Sequence, residues 1–227
     1  MNALTPLAPN LWVATRPLVL FTGDVGTRMT VVRLRDGGLW LHSPVELDAP
    51  TRAALDALGP VRAVVAPSLV HHFFVGDYGQ AYPEAKLFAA PGLAKKRGDL
   101  QFDAVLSDDA PPEWAGEIDQ HLFRGAPLIN EVVFYHPSTR TLVLTDLAFN
   151  VVRPAVSRRA RLFFALVGAR GFTPHRVVKL ITRDRVAARR SIDRILQWDF
   201  NRVTVTHGEV LERGGRAAFE RAFRWLG

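Results

Sequence analysis

An apolar run of strand type, Val61–Ala66, stops at Pro67 and opens into Ser68-Leu69-Val70-His71-His72-Phe73-Phe74-Val75-Gly76, a loop in which two histidines sit between hydrophobic residues. A helix-like stretch follows to Tyr82, and then a second strand-like run, Lys86–Ala89. Upstream, Leu11-Trp12-Val13 and Met29-Thr30-Val31-Val32-Arg33-Leu34 read as hairpin strands, Gly38-Leu39-Trp40-Leu41-His42-Ser43-Pro44 as a third strand, and 51–58 as a helix. Downstream come a variable segment to about Asp119, a hairpin running to Asp146, a basic helical region, a strand to Thr206 and a closing helix over 215–226. Strands arrive first in hairpins and then alternate with helices, an order that suits mixed sheets packed on one another with helices outside. The expected architecture is α/β, a four-layer αββα sandwich with ligand-bearing loops gathered at one edge of its two sheets.

The chain has 227 residues, 48% of them hydrophobic, enough to bury a large core as a single domain over 1–227. It has no apolar run of 18 residues, so no membrane span is expected. Residues 1–20 contain Pro6, Pro9 and Pro17 and lack the positive start and apolar stretch of a secretory signal, which makes cytoplasmic residence the expectation. With no cysteine, a metal can be held only by His, Asp and Glu, and Fe–S clusters or Cys-type structural zinc are ruled out. No Ser nucleophile elbow, P-loop or dinucleotide glycine fingerprint stands in a strand-to-helix context. Gly23-Asp24-Val25-Gly26 is a turn signal.

Charge is unevenly spread. Residues 153–194 hold 12 Lys or Arg against 2 Asp, a net of +10 in a chain of +7, so the remainder carries about −3 by subtraction. The segment reads as a basic helical insertion over about 153–196. Thr173-Pro174 provides an N-cap and first helical position, and Val177, Ile181, Ala188, Ile192 and Ile195 recur at roughly helical spacing. The arginines between them then line an outer face, either as a solvated helix surface or as an anion-binding cover beside a pocket. In the second case Arg158, Arg159 and Arg161 contribute to the rim, with Arg158 and Arg161 as substrate contacts.

In order and position, these elements resemble the metallo-β-lactamase superfamily. The 68–76 loop stands where that family has T-H-x-H-x-D-H-x-G: Ser68 takes the Thr place, His71 the second His and Gly76 the Gly. Leu69, Phe73 and Phe74 occupy the other three ligand places and can bind no metal. His42 stands in the Asp place of the family's Asp-x-Gly strand end. The hairpin from Asn130 resembles the one that runs into the family's metal-bridging Asp, which Asp146 matches, while Pro127 falls where the third His belongs. Arg202-Val203-Thr204-Val205-Thr206-His207-Gly208 resembles the late strand ending in the final His ligand. The match covers most of residues 8–210 and implies the fold of an uncharacterised, divergent branch. Fold membership alone defines no reaction.

The resemblance leaves His71, Asp146 and His207 as candidate catalytic and metal-binding residues, expected to converge at one edge of the sandwich. A dinuclear zinc site needs about six or seven His and Asp ligands, whereas His₂-carboxylate plus water is a recognised set for one zinc or one Fe(II). His72 and Glu131 are possible additional ligands, so the expectation is no metal or one divalent ion. Alternatively, both histidines are merely hydrogen-bonded to Asp146 in a metal-free polar cluster. Phe73 and Phe74 are expected to fill the former metal cavity. His42 is either a substrate contact or structural, and His121, His136 and His175 read as surface groups. Two function classes stay open. One is a hydrolase of small anionic esters, lactones or thioesters with a reduced mononuclear site; the other is a non-catalytic protein that binds an anionic small molecule or, less favoured, a nucleic acid.

Overall fold

The computed structural model describes residues 3–152 and 157–227. Its first half runs β1 (Thr5–Ala8), β2 (Leu11–Arg16), a short hairpin of β3 (Val19–Leu20) and β4 (Gly23–Asp24), β5 (Thr27–Arg33), β6 (Leu39–His42), α1 (Ala49–Leu58), β7 (Val61–Ala66), α2 (Val75–Ala81), β8 (Lys86–Ala89), α3 (Leu93–Lys96) and β9 (Ala104–Val105). The second half runs β10 (Asp119–Leu122), β11 (Val132–His136), β12 (Thr141–Val143), β13 (Phe149–Val151), α4 (Arg158–Leu166), β14 (Gly171–Thr173), α5 (Arg176–Ile181), α6 (Arg185–Ile195), β15 (Arg202–Thr204) and α7 (Gly215–Ala222).

Seven strands form one sheet in the order β1-β2-β5-β6-β7-β8-β9, and four form a second in the order β10-β11-β12-β15. The large sheet is antiparallel from β1 to β6 and parallel from β6 to β9. In the small sheet only the β12–β15 pair is parallel.

Period-two alternation sorts each buried strand onto two faces. Leu39, Leu41, Val64, Ala66, Leu87 and Ala89 point outward to a core shared with Leu55 of α1, Val75 and Tyr78 of α2 and Leu93 of α3. Their neighbours Trp40, Ala63, Val65 and Phe88 point inward and meet Val132, Phe134 and Val143 of the second sheet. The other face of that sheet, with Val133, Tyr135 and Leu142, packs on Val178, Ala188, Ile192, Ile195 and Phe219 of α5, α6 and α7. Helices, sheet, sheet, helices: the αββα sandwich stands as expected.

The basic region departs from the expectation. Thr173 is no N-cap but the last residue of β14, paired with Phe149 of β13. What read as one helical run is two helices, because the Arg183 and Asp184 N–H groups both donate to the Gly125 carbonyl, at 2.8 and 3.2 Å. Asp184 then caps α6, its carboxylate accepting from Ala187 N at 2.9 Å. Val178 is the buried residue of α5, while Val177 is exposed. The opening of the expected insertion, 153–156, lies outside the described residues.

Candidate metal centre

The parallel strands fix the place of the site. Ser43 follows β6, the 68–72 loop follows β7, Asp146 follows β12, and Thr206 and His207 follow β15, so all four arrive at the carboxyl ends of parallel pairs. Ser68 shapes its loop by accepting from Val70 N at 3.2 Å and His71 N at 3.0 Å. Ser43 adopts left-handed backbone, φ 53°, and presents its hydroxyl to His71 Nδ1 at 3.2 Å. Glu131, fully buried, accepts from the N–H groups of Thr145, Asp146 and Leu147 at 2.6, 2.8 and 2.9 Å. That clamp sets the backbone that carries the Asp146 side chain.

The three expected residues converge. His71 Nε2 lies 3.2 Å from Asp146 Oδ1, and His207 Nε2 lies 3.5 Å from the same oxygen. One ligand atom from each falls within 4.8 Å of the others, and all three side chains are buried. His207 Nδ1 faces the Gly26 carbonyl at 2.8 Å and the Val25 carbonyl at 3.3 Å, so that nitrogen donates and Nε2 keeps its lone pair. Burial pushes His207 down to about 4, more than Asp146 pulls it up. Burial also opposes charge on His71, yet Asp146, with Glu131 behind it, raises the His71 pKa. Burial disfavours the Asp146 carboxylate too, but His71 and His207 hold it well below the usual range.

This donor set fits one metal ion. Neutral His207 Nε2 and ionised Asp146 Oδ1 are two acceptors facing each other at 3.5 Å with no proton between them, an arrangement that a cation relieves. The outward-turned His207 Nδ1–H and the Ser43 hydroxyl at His71 Nδ1 are the supporting hydrogen bonds that orient ligating imidazoles.

The additional candidates stand elsewhere. His72 turns to Arg97, whose guanidinium nitrogen lies 3.1 Å from His72 Nδ1. Glu131 spends its oxygens on backbone N–H groups, and burial pushes its carboxyl up to about 7, with the Asp146 charge adding to the effect. Neither belongs to the three-residue cluster; Glu131 positions the Asp146 backbone, and His72 faces Arg97 instead. His42 is buried between the sheets, its ring stacked on Trp40 at 5.6 Å and set edge-on to Phe134 at 5.4 Å. It does not line the cavity. Arg158 and Arg161 are exposed on α4 and do not line the cavity either.

Above the cluster lies a cavity of about 460 Å³ whose lining, among the described residues, is His71, Asp146, His175, His207 and otherwise hydrophobic side chains. Phe73 and Phe74 do not fill it. Phe74 packs into the outer core beneath the helices, as does Leu69, while Phe73 is 52% exposed and lines the cavity wall. His175 corrects the surface reading given to it: it is buried, its ring centroid is 4.3 Å from that of Phe149, and among the described residues the Asp146 backbone is the polar group beside its ring, with no well-formed hydrogen bond to either nitrogen. Sequence reasoning missed it because its burial depends on β14 pairing with β13. His121 and His136 are buried as well, bonded to Asp108 and to Thr139 and Ser138.

A family model described as a domain of unknown function, DUF4336, matches residues 9–161, more than half of the chain. The chain belongs to the DUF4336 family. No curated protein matches it. Among solved structures it is similar to a metallo-β-lactamase from Pontibacter korlensis, with TM-score 0.67 at 15% identity over 98% of this chain and 97% of that one. A metallo-β-lactamase from Erythrobacter litoralis gives TM-score 0.69 at 14% identity, covering 98% and 95%. One from Pseudomonas aeruginosa in its mono-zinc form gives 0.67 at 14%, covering 98% and 93%. This DUF4336 member therefore has the metallo-β-lactamase fold.

Proposed function

We propose that this DUF4336 protein is a hydrolase in which His71, Asp146 and His207 hold a single divalent ion, zinc or iron, and the cavity takes the apolar body of an ester, lactone or thioester. The observation that carries this reading is the unprotonated His207 Nε2 facing the Asp146 carboxylate at 3.5 Å beneath that cavity. When bound, such an ion supplies Lewis-acid polarisation of a carbonyl. The chain's own groups do the rest. Glu131 fixes the Asp146 backbone, Ser43 and Gly26 orient the two imidazoles, and the hydrophobic lining excludes water around the reacting bond. His175, on the same wall and close enough to feel the Asp146 charge, is the group placed to carry a proton.

Among the described residues no Arg or Lys lines the cavity, which favours an apolar substrate over the anionic one inferred from the basic segment. The competing reading is a metal-free binding protein, favoured by the 3.2 Å contact that lets His71 and Asp146 satisfy each other. Elemental analysis of protein purified without chelator, repeated on His207→Ala, separates the two. We expect one zinc or iron per chain in the wild type, as purified or after addition of the metal, and none in the variant, since two remaining ligands are too few. Zero metal in the wild type, with no uptake of added zinc, manganese or iron, would retire the hydrolase reading.

A further inference from the structure

The cavity's rim is unusual for a surface in water. Leu20, Val70, Phe73, Leu128 and Val177 line it and are nonetheless 41, 37, 52, 53 and 44% exposed. They come from four separate parts of the chain, so the apolar character belongs to the mouth and not to any one element. The flanking positions extend it outward: Phe21, at the tip of the β3–β4 hairpin beside Leu20, is 92% exposed, and Leu180, one turn along α5 from Val177, is 83% exposed. On α4, Phe163 and Val167 line the cavity while Leu162 and Leu166 beside them are 61 and 64% exposed. Side chains of this size clustered in water mark a surface that is covered by something.

Charge indicates what covers it. Residues 157–183, which include α4 and α5, carry seven Arg or Lys and no Asp or Glu. Arg158 and Arg159 are exposed on α4, within one turn of Leu162. Hydrophobic side chains that project through a cationic belt are the composition of an interfacial membrane-binding face, where the apolar tips enter the acyl boundary and the cations stay at the headgroups. An apolar mouth assembled from several segments of the chain and flanked by cations suits a fluid, anionic partner.

We propose that this face docks on an anionic lipid bilayer, with the cavity mouth turned toward the membrane. No helix among the described residues is long and apolar enough to cross a bilayer, so the attachment is peripheral. The docking needs neither the metal nor turnover and stands apart from the hydrolase reading. If both hold, the membrane is the source from which an acyl-bearing substrate enters the apolar cavity.

The test is co-sedimentation with vesicles of phosphatidylcholine and phosphatidylserine in about equal parts, against phosphatidylcholine alone, at low and high salt. Wild-type protein is compared with Phe21→Ser/Leu180→Ser and Arg158→Glu/Arg159→Glu, all four positions being exposed and their variants checked for an unchanged melting temperature. We expect binding to the anionic vesicles that weakens with salt, and a loss of at least about tenfold in partitioning for each double variant. Absence of binding at low salt overturns the proposal. So does binding that the serine variant leaves intact, which is adsorption by charge alone. A concentration-dependent dimer that the serine variant dissolves, without vesicle binding, assigns the face to self-association and overturns it as well.

Discussion

His42 and His71 sit at the ends of adjacent strands, yet their surroundings move their ring protons in opposite directions. His71 has a carboxylate within 3.2 Å, which outweighs its burial, and its pKa rises. His42 has Trp40 and Phe134 around it, and burial, with His71 adding, pushes it down to about 3. The sign of the consequence follows from linkage. Unfolded chains take up the His42 proton near the ordinary value of about 6.5, the folded protein only near 3, so stability is lost as pH falls between the two. From pH 7 to pH 5 the loss assignable to His42 is about 2 kcal/mol. Urea denaturation at both pH values, on wild type and His42→Phe, should show the wild type losing about that much more; equal losses would mean that His42 is free to ionise in the fold. The same contrast explains what was legible at this scale. His71, Asp146 and His207 could be read from motif places that put them at strand ends. The role of His175 could not, since the Phe149 ring that buries it reaches it only through β13–β14 pairing.

Between elements, the decisive tie is Glu131, which stands just before β11 and accepts three N–H groups from the turn after β12. The strand sequence gave no hint of this, because a glutamate beside a hairpin reads as an extra ligand until the backbone it clamps is known. Glu131→Gln keeps the size but sets an NH₂ group against at least one of those donors. A buried donor left unpaired costs about 1–3 kcal/mol, and the urea midpoint should fall accordingly; an unchanged midpoint would show that the clamp is dispensable. At α1 the expected end at Leu58 stands, but the start at 51 fell two residues late, since the helix opens at Ala49 behind Asp48, whose carboxylate accepts from Thr51 N at 2.7 Å. Helix boundaries failed where the break is tertiary. Nothing in the spacing of Val177, Ile181, Ala188 and Ile192 announces that the Gly125 carbonyl, far off in sequence, captures the N–H groups of Arg183 and Asp184 and divides the run in two.

For the molecule as a whole, identities of 14–15% to solved relatives coexist with TM-scores of 0.67–0.69 because a sheet buried on both faces demands alternating apolar size and leaves residue identity free. The order of strands and helices was therefore readable at this low identity. The same geometry bears on how the chain unfolds. The layer between the sheets is built from both at once: Phe134 of β11 lies 5.1 Å from Trp40 of β6 and 6.5 Å from Trp114, which in turn lies 4.6 Å from Phe88 of β8. Neither sheet keeps its inner face dry without the other, so the chain is expected to behave as one domain with one transition. Phe134→Ala, a small-sheet change, should then lower stability by about 3–5 kcal/mol and weaken amide-exchange protection in β5, β6 and β7 as much as in β11 and β12. If 27–66 stayed protected while 119–143 opened, the two sheets would be separate cooperative units and the shared core a contact between finished halves.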